Sequence, residues 1–221
     1  MLRGVTRGRF IVLEGVDGAG TTTQVRLLAE RLRARGERVH TTAEPSGGPI
    51  GKLLRRALSG RLTEGDAPDP ARPSWQTLAL MFAADRLDHL TREIEPELAA
   101  GAWVVCDRYD HSTLAYQSVG GGGESAIPWL RELNRHARRP DVTIVLDVPA
   151  SVAAERRRAR SGPEEIFDAD DLQARLGAFY AKLEQHCPGE KIVHVDGTLA
   201  LAEVTDAALA AIGSRRIEEA V

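Results

Sequence analysis

Residues Phe10 to Gln24 read FIVLEGVDGAGTTTQ. Four apolar residues run into a glutamate and a glycine-studded turn, and a helical pattern follows. A strand that leads through glycines into a helix is the setting of a phosphate-binding loop, G-x-x-x-x-G-K-[ST]. Gly15 and Gly20 occupy the two fixed glycine positions, Gly18 lies between them, and Thr22 takes the hydroxyl position. Glycines let backbone N–H groups approach phosphate oxygens, and the helix N-terminus adds its positive end. The expected ATP cradle is therefore Gly15, Val16, Asp17, Gly18, Ala19, Gly20, Thr21, Thr22 and Thr23, with the Thr22 hydroxyl as a candidate Mg2+ ligand. Thr21, however, stands where the lysine belongs. An ammonium near a phosphate is worth up to ~4 kcal/mol at a moderate effective dielectric. A hydroxyl hydrogen bond gives ~1 kcal/mol. Uncompensated, the loss would slow phosphoryl transfer by a few orders of magnitude.

Outward from this loop, short apolar runs alternate with longer helical stretches. Strands are expected at Phe10–Leu13, Arg38–Thr42, Trp103–Cys106, Val142–Asp147 and Lys191–Val195. Helices are expected at Thr22–Arg35, Ile50–Leu58, Trp75–Ala100, Asp110–Val119, Ile127–His136, Val152–Arg160, Asp170–His186 and Leu199–Ile212. Strands separated by helices require parallel crossovers, so the fold class is α/β with a sheet covered on both faces. FIVL, WVVC and VTIVLDV are nearly unbroken in apolar residues, as doubly buried strands are. Pro96 predicts a kink or break at Glu95. TEGDAPDPARPS (Thr63–Ser74) reads as a loop and GGGGES (Gly120–Ser125) as a flexible connector. Without repeats or a long linker, residues 1–221 are expected to form one domain.

Composition narrows the possibilities. The 221 residues are 43% hydrophobic and 28% charged, ordinary for a globular chain, and the net charge of −3 gives no reason to expect a nucleic-acid partner. Cys106 and Cys187 lie too far apart for a redox pair or a metal motif between them, and both read as reduced thiols. No apolar run approaches a signal-peptide core or the ~18 residues of a membrane span, so a cytoplasmic protein without membrane contact is expected. His111 and His136 read as surface or packing residues.

Leu146–Gly162, LDVPASVAAERRRARSG, runs from the fourth strand into a helix that ends in Arg156, Arg157, Arg158 and Arg160. Arg156 and Arg160 share a helical face, and the SGPEE that begins at Ser161 breaks the helix. Residues 156–168 are thus a candidate lid, whose Arg156, Arg158 and Arg160 would stabilise charge on a transferring phosphate. The plainer alternative is a solvated basic helix end, which the helix dipole favours. Asp107 and Arg108 close the third strand at the carboxyl edge, where open α/β sheets bind ligands. Val195–Val204, after the fifth strand, is a candidate lining of the adenine pocket.

Three further stretches, LMFAADR (Leu80–Arg86), CDRYDHSTLAYQ (Cys106–Gln117) and LDVPASVAAERRRAR (Leu146–Arg160), resemble the thymidylate kinase family. EGVDGAG and EPSGG (Glu44–Gly48) fit the same pattern, and the likeness runs in order from about Arg9 to the last helix. It implies a P-loop NTPase-like three-layer fold with a five-stranded parallel sheet, ATP with Mg2+ as donor, dTMP as acceptor, dTDP as product, and a homodimer. By the resemblance, Glu44 and Pro45 belong to the acceptor site, Phe82 stacks on thymine and Arg86 donates to its O4. Arg108 holds the acceptor phosphate, and Asp107 faces Mg2+ through water. Asp17 approaches the acceptor phosphate or its metal. Ser112, Thr113, Tyr116 and Gln117 share one helical face, with Thr113 and Gln117 near the base and Tyr116 by the sugar, excluding a 2′-hydroxyl. The catalytic set is Asp17, Arg108, Arg156, Arg158 and Arg160.

This chemistry needs no general base, because a phosphomonoester's second pKa of about 6 leaves the attacking oxygen largely ionised. Positioning and charge neutralisation remain. With arginines after the fourth strand and none in the loop, the chain resembles the lid-arginine group of the family. It departs at Thr21 and at Ala43, where an arginine would precede Glu44. Two readings stay open beside the kinase: a nucleotide-binding protein with little catalysis, and a kinase for another pyrimidine monophosphate such as dUMP.

Overall fold

The protein is represented by a computed structural model that describes residues 8–60, 62, 73–159 and 169–213. In chain order these form β1 (Phe10–Glu14), α1 (Thr21–Ala34), β2 (Val39–Ala43), α2 (Pro49–Leu58), α3 (Trp75–His89), α4 (Glu95–Ala99), β3 (Trp103–Asp107), α5 (Asp110–Gln117), α6 (Ile127–Leu133), β4 (Val142–Asp147), α7 (Ala150–Arg158), α8 (Asp170–Tyr180), a short α9 (Leu183–His186), β5 (Ile192–Asp196) and α10 (Leu201–Ile212). Among the described residues the strands make one five-stranded sheet in the order β2-β3-β1-β4-β5, with every pair parallel. The expected α/β architecture is what the chain adopts.

β1 and β3 are buried at all five positions each, which explains why their sequences do not alternate. Successive side chains of β1 still serve opposite faces. Ile11 and Leu13 join a core with Leu28 and Leu32 of α1, Leu114 of α5, Leu176 of α8 and Val204 of α10. Phe10 and Val12 pack instead with Leu90, Ile94, Leu98, Val104 and Tyr109. Each such fully buried aliphatic side chain contributes about 1.5–3 kcal/mol. Leu13 pairs with Asp107 on one side and Ile144 on the other, so the loop after β1 leaves the middle of the sheet's carboxyl edge.

The helices depart from expectation at a proline and at a glycine run. Of the kink or break expected at Glu95, the break is absent: Glu95 keeps helical angles, φ −64° and ψ −42°, although the long helix changes type there and α4 begins. Residues 90–94 instead form a wider π-helical turn between α3 and α4. A widened turn eases the missing N–H and ring clash of Pro96 one turn upstream, and it keeps Leu90, Ile94 and Leu98 on one buried stripe. Nor are Gly120–Ser125 a flexible connector. The chain continues past α5 into residues 118–122 and kinks at Gly121 (φ 165°, ψ −25°), where a Cβ would lie 2.8 Å from Cδ1 of Trp75. At Gly121 the tryptophan leaves no room for a side chain, and at Gly122 Ala126 and the same ring crowd the position. The expected Asp170–His186 helix is divided into α8 and α9. Most of the expected Thr63–Ser74 loop, and the lid beyond Ala159 as far as 168, lie outside the described residues. Among the described residues, no helix is long and apolar enough to cross a membrane.

Candidate active site

The loop between β1 and α1 turns through Gly15, Gly18 and Gly20, with φ of 154°, 91° and 97°. At Gly18 a Cβ would come 2.4 Å from the Ala153 carbonyl oxygen, so only glycine lets α7 lie directly against the loop. Gly20 precedes α1, and Thr21 is its buried first residue. Thr22, though exposed as a residue, turns its hydroxyl to the buried Asp107 and donates to Oδ2 at 2.5 Å. Asp107 Oδ1 is buried with no hydrogen-bond partner. A hydroxyl and a carboxylate in contact, with one carboxylate oxygen unengaged, are hard oxygen donors that fit Mg2+.

Asp17 is the hub beside this pair. Its Oδ1 accepts from Arg108 at 2.7 Å, and its Oδ2 accepts from Gln173 Nε2 at 2.7 Å. Its backbone N–H donates to Gln173 Oε1 at 3.0 Å, so the α8 amide grips both ends of one residue. Arg108 holds a left-handed backbone, φ 69°, that non-glycine residues rarely adopt. Glu14, fully buried, anchors the turn that follows. Its Oε1 accepts the N–H groups of Tyr109 (2.8 Å) and Ser112 (3.1 Å), and its Oε2 accepts the hydroxyls of Ser112 (2.7 Å) and Tyr180 (2.9 Å). Burial raises the Glu14 pKa above the ordinary carboxylate value, although His111, Arg108 and these hydrogen bonds oppose the rise. Arg108 also donates to Ser112 Oγ at 3.2 Å and stands 5.2 Å from the Tyr116 ring.

On the β2–β3 side a cavity of about 150 Å³ is lined by Asp17, Glu44, Pro45, Leu58, Phe82, Arg108, Tyr109, Ser112 and Tyr116. Most of the expected acceptor residues therefore converge. Arg86, Thr113 and Gln117 do not line the cavity and are nearly fully buried. Arg86 donates to Glu44 (2.7 Å), Asn134 (2.5 Å) and Thr113 (3.1 Å), which leaves only its Nε without a partner. Burial alone would lower the Arg86 pKa, but the charges of Glu44 and Asp110, Tyr109 and the Glu44 hydrogen bond together outweigh it and the net shift is upward. Gln117 has both amide atoms buried and unpaired. Glu44 is held further by His89 at 3.3 Å. Ser46 is fixed by Asp85 through its backbone N–H and its hydroxyl.

On the β4–β5 side a cleft of about 270 Å³ runs from Gly18, Ala19 and Gly20 past Thr23 and Arg156 to Gly197, Leu201 and Val204. Arg156 donates to the carbonyls of Gly197 (3.0 Å) and Ala19 (3.4 Å). Arg157, not singled out from the sequence, donates to the Asp17 carbonyl at 2.9 Å and pairs with Asp170 at 2.5 Å. Arg158 points away: its side chain is 73% exposed and, among the described residues, meets the other oxygen of Asp170, at 3.1 Å. Arg160 lies outside the described residues. A wider cleft, about 500 Å³ between α7 and α8, has Asp147 and Asp196 in its wall and, among the described residues, no basic side chain.

Glu14, Asn134, Gln173 and Tyr180 are not legible as site residues in the sequence, because a polar residue within a helix, or at the end of a helix or strand, carries no local sign of its distant partner. Two clefts converging on one anion cradle suit passage of a phosphoryl group between two nucleotides, the arrangement of phosphate-loop nucleotide kinases. The family profile for thymidylate kinase matches residues 13–208. The chain is 43% identical over 185 residues to a probable thymidylate kinase of Thermococcus kodakarensis, covering 84% of this chain and 88% of the relative. It is 42% identical over 208 residues to the thymidylate kinase of Thermomicrobium roseum, with 92% and 93% covered. For the thymidylate kinase of Methylococcus capsulatus the identity is 38% over 202 residues, with 90% and 93% covered. The chain belongs to the thymidylate kinase family.

Proposed function

We propose that this protein transfers the γ-phosphoryl group of ATP to dTMP, giving dTDP, within a single domain spanning 1–221. The observation that carries the reading is the Asp17–Arg108 pair, 2.7 Å apart in the wall of the β2–β3 cavity, with Gly18, the next residue of the loop, opening on the β4–β5 cleft. The β2–β3 cavity takes dTMP: Phe82 offers a ring face for the base, Arg108 and Ser112 the polar end for the phosphate, and Tyr116 crowds the sugar. Thr113, Gln117 and Arg86 form the polar ground behind the base. The β4–β5 cleft takes ATP, its phosphates on the 15–23 loop and its adenine against Arg156 and the 195–204 segment. Thr22 and Asp107 would hold Mg2+, which when bound draws charge from the bridging phosphate oxygens.

The chain's own contribution is alignment and positive charge. Asp17 orients the Arg108 fork toward the acceptor phosphate, whose ionised oxygen attacks without a base. Arg156 and Arg157, with Arg160 in the proposed lid at 156–168, supply cationic charge that Thr21 cannot. Leu53, Leu80 and Leu87 are 46%, 51% and 42% exposed on α2 and α3, which supports pairing of two copies through that face.

A coupled ADP-release assay with dTMP, dUMP or UMP, with and without Mg2+, tests this. The expected result is Mg2+-dependent turnover with dTMP preferred; no turnover with dTMP would end the proposal. The Thr21→Lys variant addresses the weak-catalyst reading. A change within about tenfold is expected if arginines already supply the charge, whereas a thousandfold gain would mark the natural loop as crippled.

A further inference from the structure

Outside the nucleotide clefts, one cluster joins residues far apart in sequence. His111 lies in the first turn of α5, while Cys187 and Glu190 flank a tight turn after α9. One ligand atom from each lies within 4.8 Å of the other two, and His111 Nε2 is 2.9 Å from Glu190 Oε2. We propose that these three side chains bind a zinc-class divalent cation, with water as fourth ligand.

The geometry is close to what such an ion requires. Bonds of roughly 2.0–2.3 Å in a tetrahedron separate ligand atoms by roughly 3.2–3.8 Å, so movements below an ångström suffice. His111 and Cys187 are 0% and 2% exposed, while Glu190 reaches the surface beside Arg139, which gives the ion an entry path. The Cys187-Pro188-Gly189-Glu190 turn is closed by a Glu190 N–H to Cys187 carbonyl bond of 3.3 Å, which folds the carboxylate back toward the sulfur.

What lies behind the imidazole points to a ligand as well. His111 Nδ1 and Asp110 Oδ1 are both buried without a hydrogen-bond partner, and they lie 3.5 Å apart. A metal-bound histidine normally donates its other ring N–H to a carboxylate, and Asp110 is positioned for that. Arg139 fixes Asp110 through Oδ2 at 2.6 Å and so neutralises it. The thiolate and the Glu190 carboxylate would balance the ion's two charges. Sulfur with imidazole selects zinc-like ions and discriminates against Mg2+, which prefers an all-oxygen shell. The two cysteines do not form a metal motif with each other; the fold gives Cys187 a histidine as partner instead. The ion would staple the 187–190 turn to α5.

Titrating the metal-free full chain with Co2+ tests this independently of catalysis. The expected result is one equivalent bound, with a thiolate-to-cobalt charge-transfer band and visible bands of tetrahedral intensity, displaced by Zn2+ and untouched by millimolar Mg2+. Cys187→Ser should abolish the charge-transfer band and Cys106→Ser should keep it. Asp110→Asn should weaken Zn2+ binding about 10–100-fold. No thiolate band with the parent protein, or a band that survives Cys187→Ser, would overturn the site.

Discussion

At the scale of single residues, the site depends on a strained arginine held by a buried acid. A left-handed backbone costs a non-glycine residue about 1–2 kcal/mol, and Arg108 sustains it because Glu14 accepts four hydrogen bonds around the turn that follows. Glu14→Gln keeps one acceptor oxygen and replaces the other with a donor. It should lower stability by about 1–3 kcal/mol in denaturant melts. The pH dependence has a definite sign. The native Glu14 pKa lies above the ordinary 4.5, so its contribution is complete below pH 4.5 and is lost as pH rises through the native value. The gap between parent and variant should therefore shrink toward high pH; a gap that widened would contradict the burial argument. Among the arginines, Arg157→Ala should reduce kcat well beyond Arg158→Ala, since Arg157 bonds to the loop and, among the described residues, Arg158 reaches Asp170 instead. Equal effects in steady-state assays would show that this arrangement does not persist during turnover. From sequence, the arginine run was legible as a group but its members were not. Which arginine faces the loop depends on where α7 starts, and that start was expected two residues late.

At the scale of elements, hydrophobic period carried most of the fold. Every expected strand exists, because FIVL, WVVC and VTIVLDV have no other means of burying themselves on both sides. Boundaries shifted by a residue or two where polar ends such as Glu14 and Asp107 extend a strand into the site. What misled was local chemistry that tertiary contact overrides. A proline was accommodated by a wider turn, and a glycine run that looked loose is packed on Trp75. Gly121→Ala separates the two views of that run. In a flexible connector the change would be neutral or slightly stabilising. Against a ring carbon 2.8 Å away it should destabilise by about 1–3 kcal/mol, read as a lowered denaturation midpoint.

At the scale of the whole molecule, the exposed leucines of α2 and α3 give the pairing proposal its test. In sedimentation velocity the parent should run as a dimer, and Leu80→Glu should shift it toward monomer. A monomeric parent would remove the pairing from the proposed function. The strand order β2-β3-β1-β4-β5 has a kinetic corollary on the proposed assignment. Central β1 delivers the glycine turn between two flanks, one opening for the acceptor and the other for the donor, so neither substrate walls in its partner. Both can then arrive in random sequence, and reciprocal plots at varied concentrations should intersect instead of running parallel.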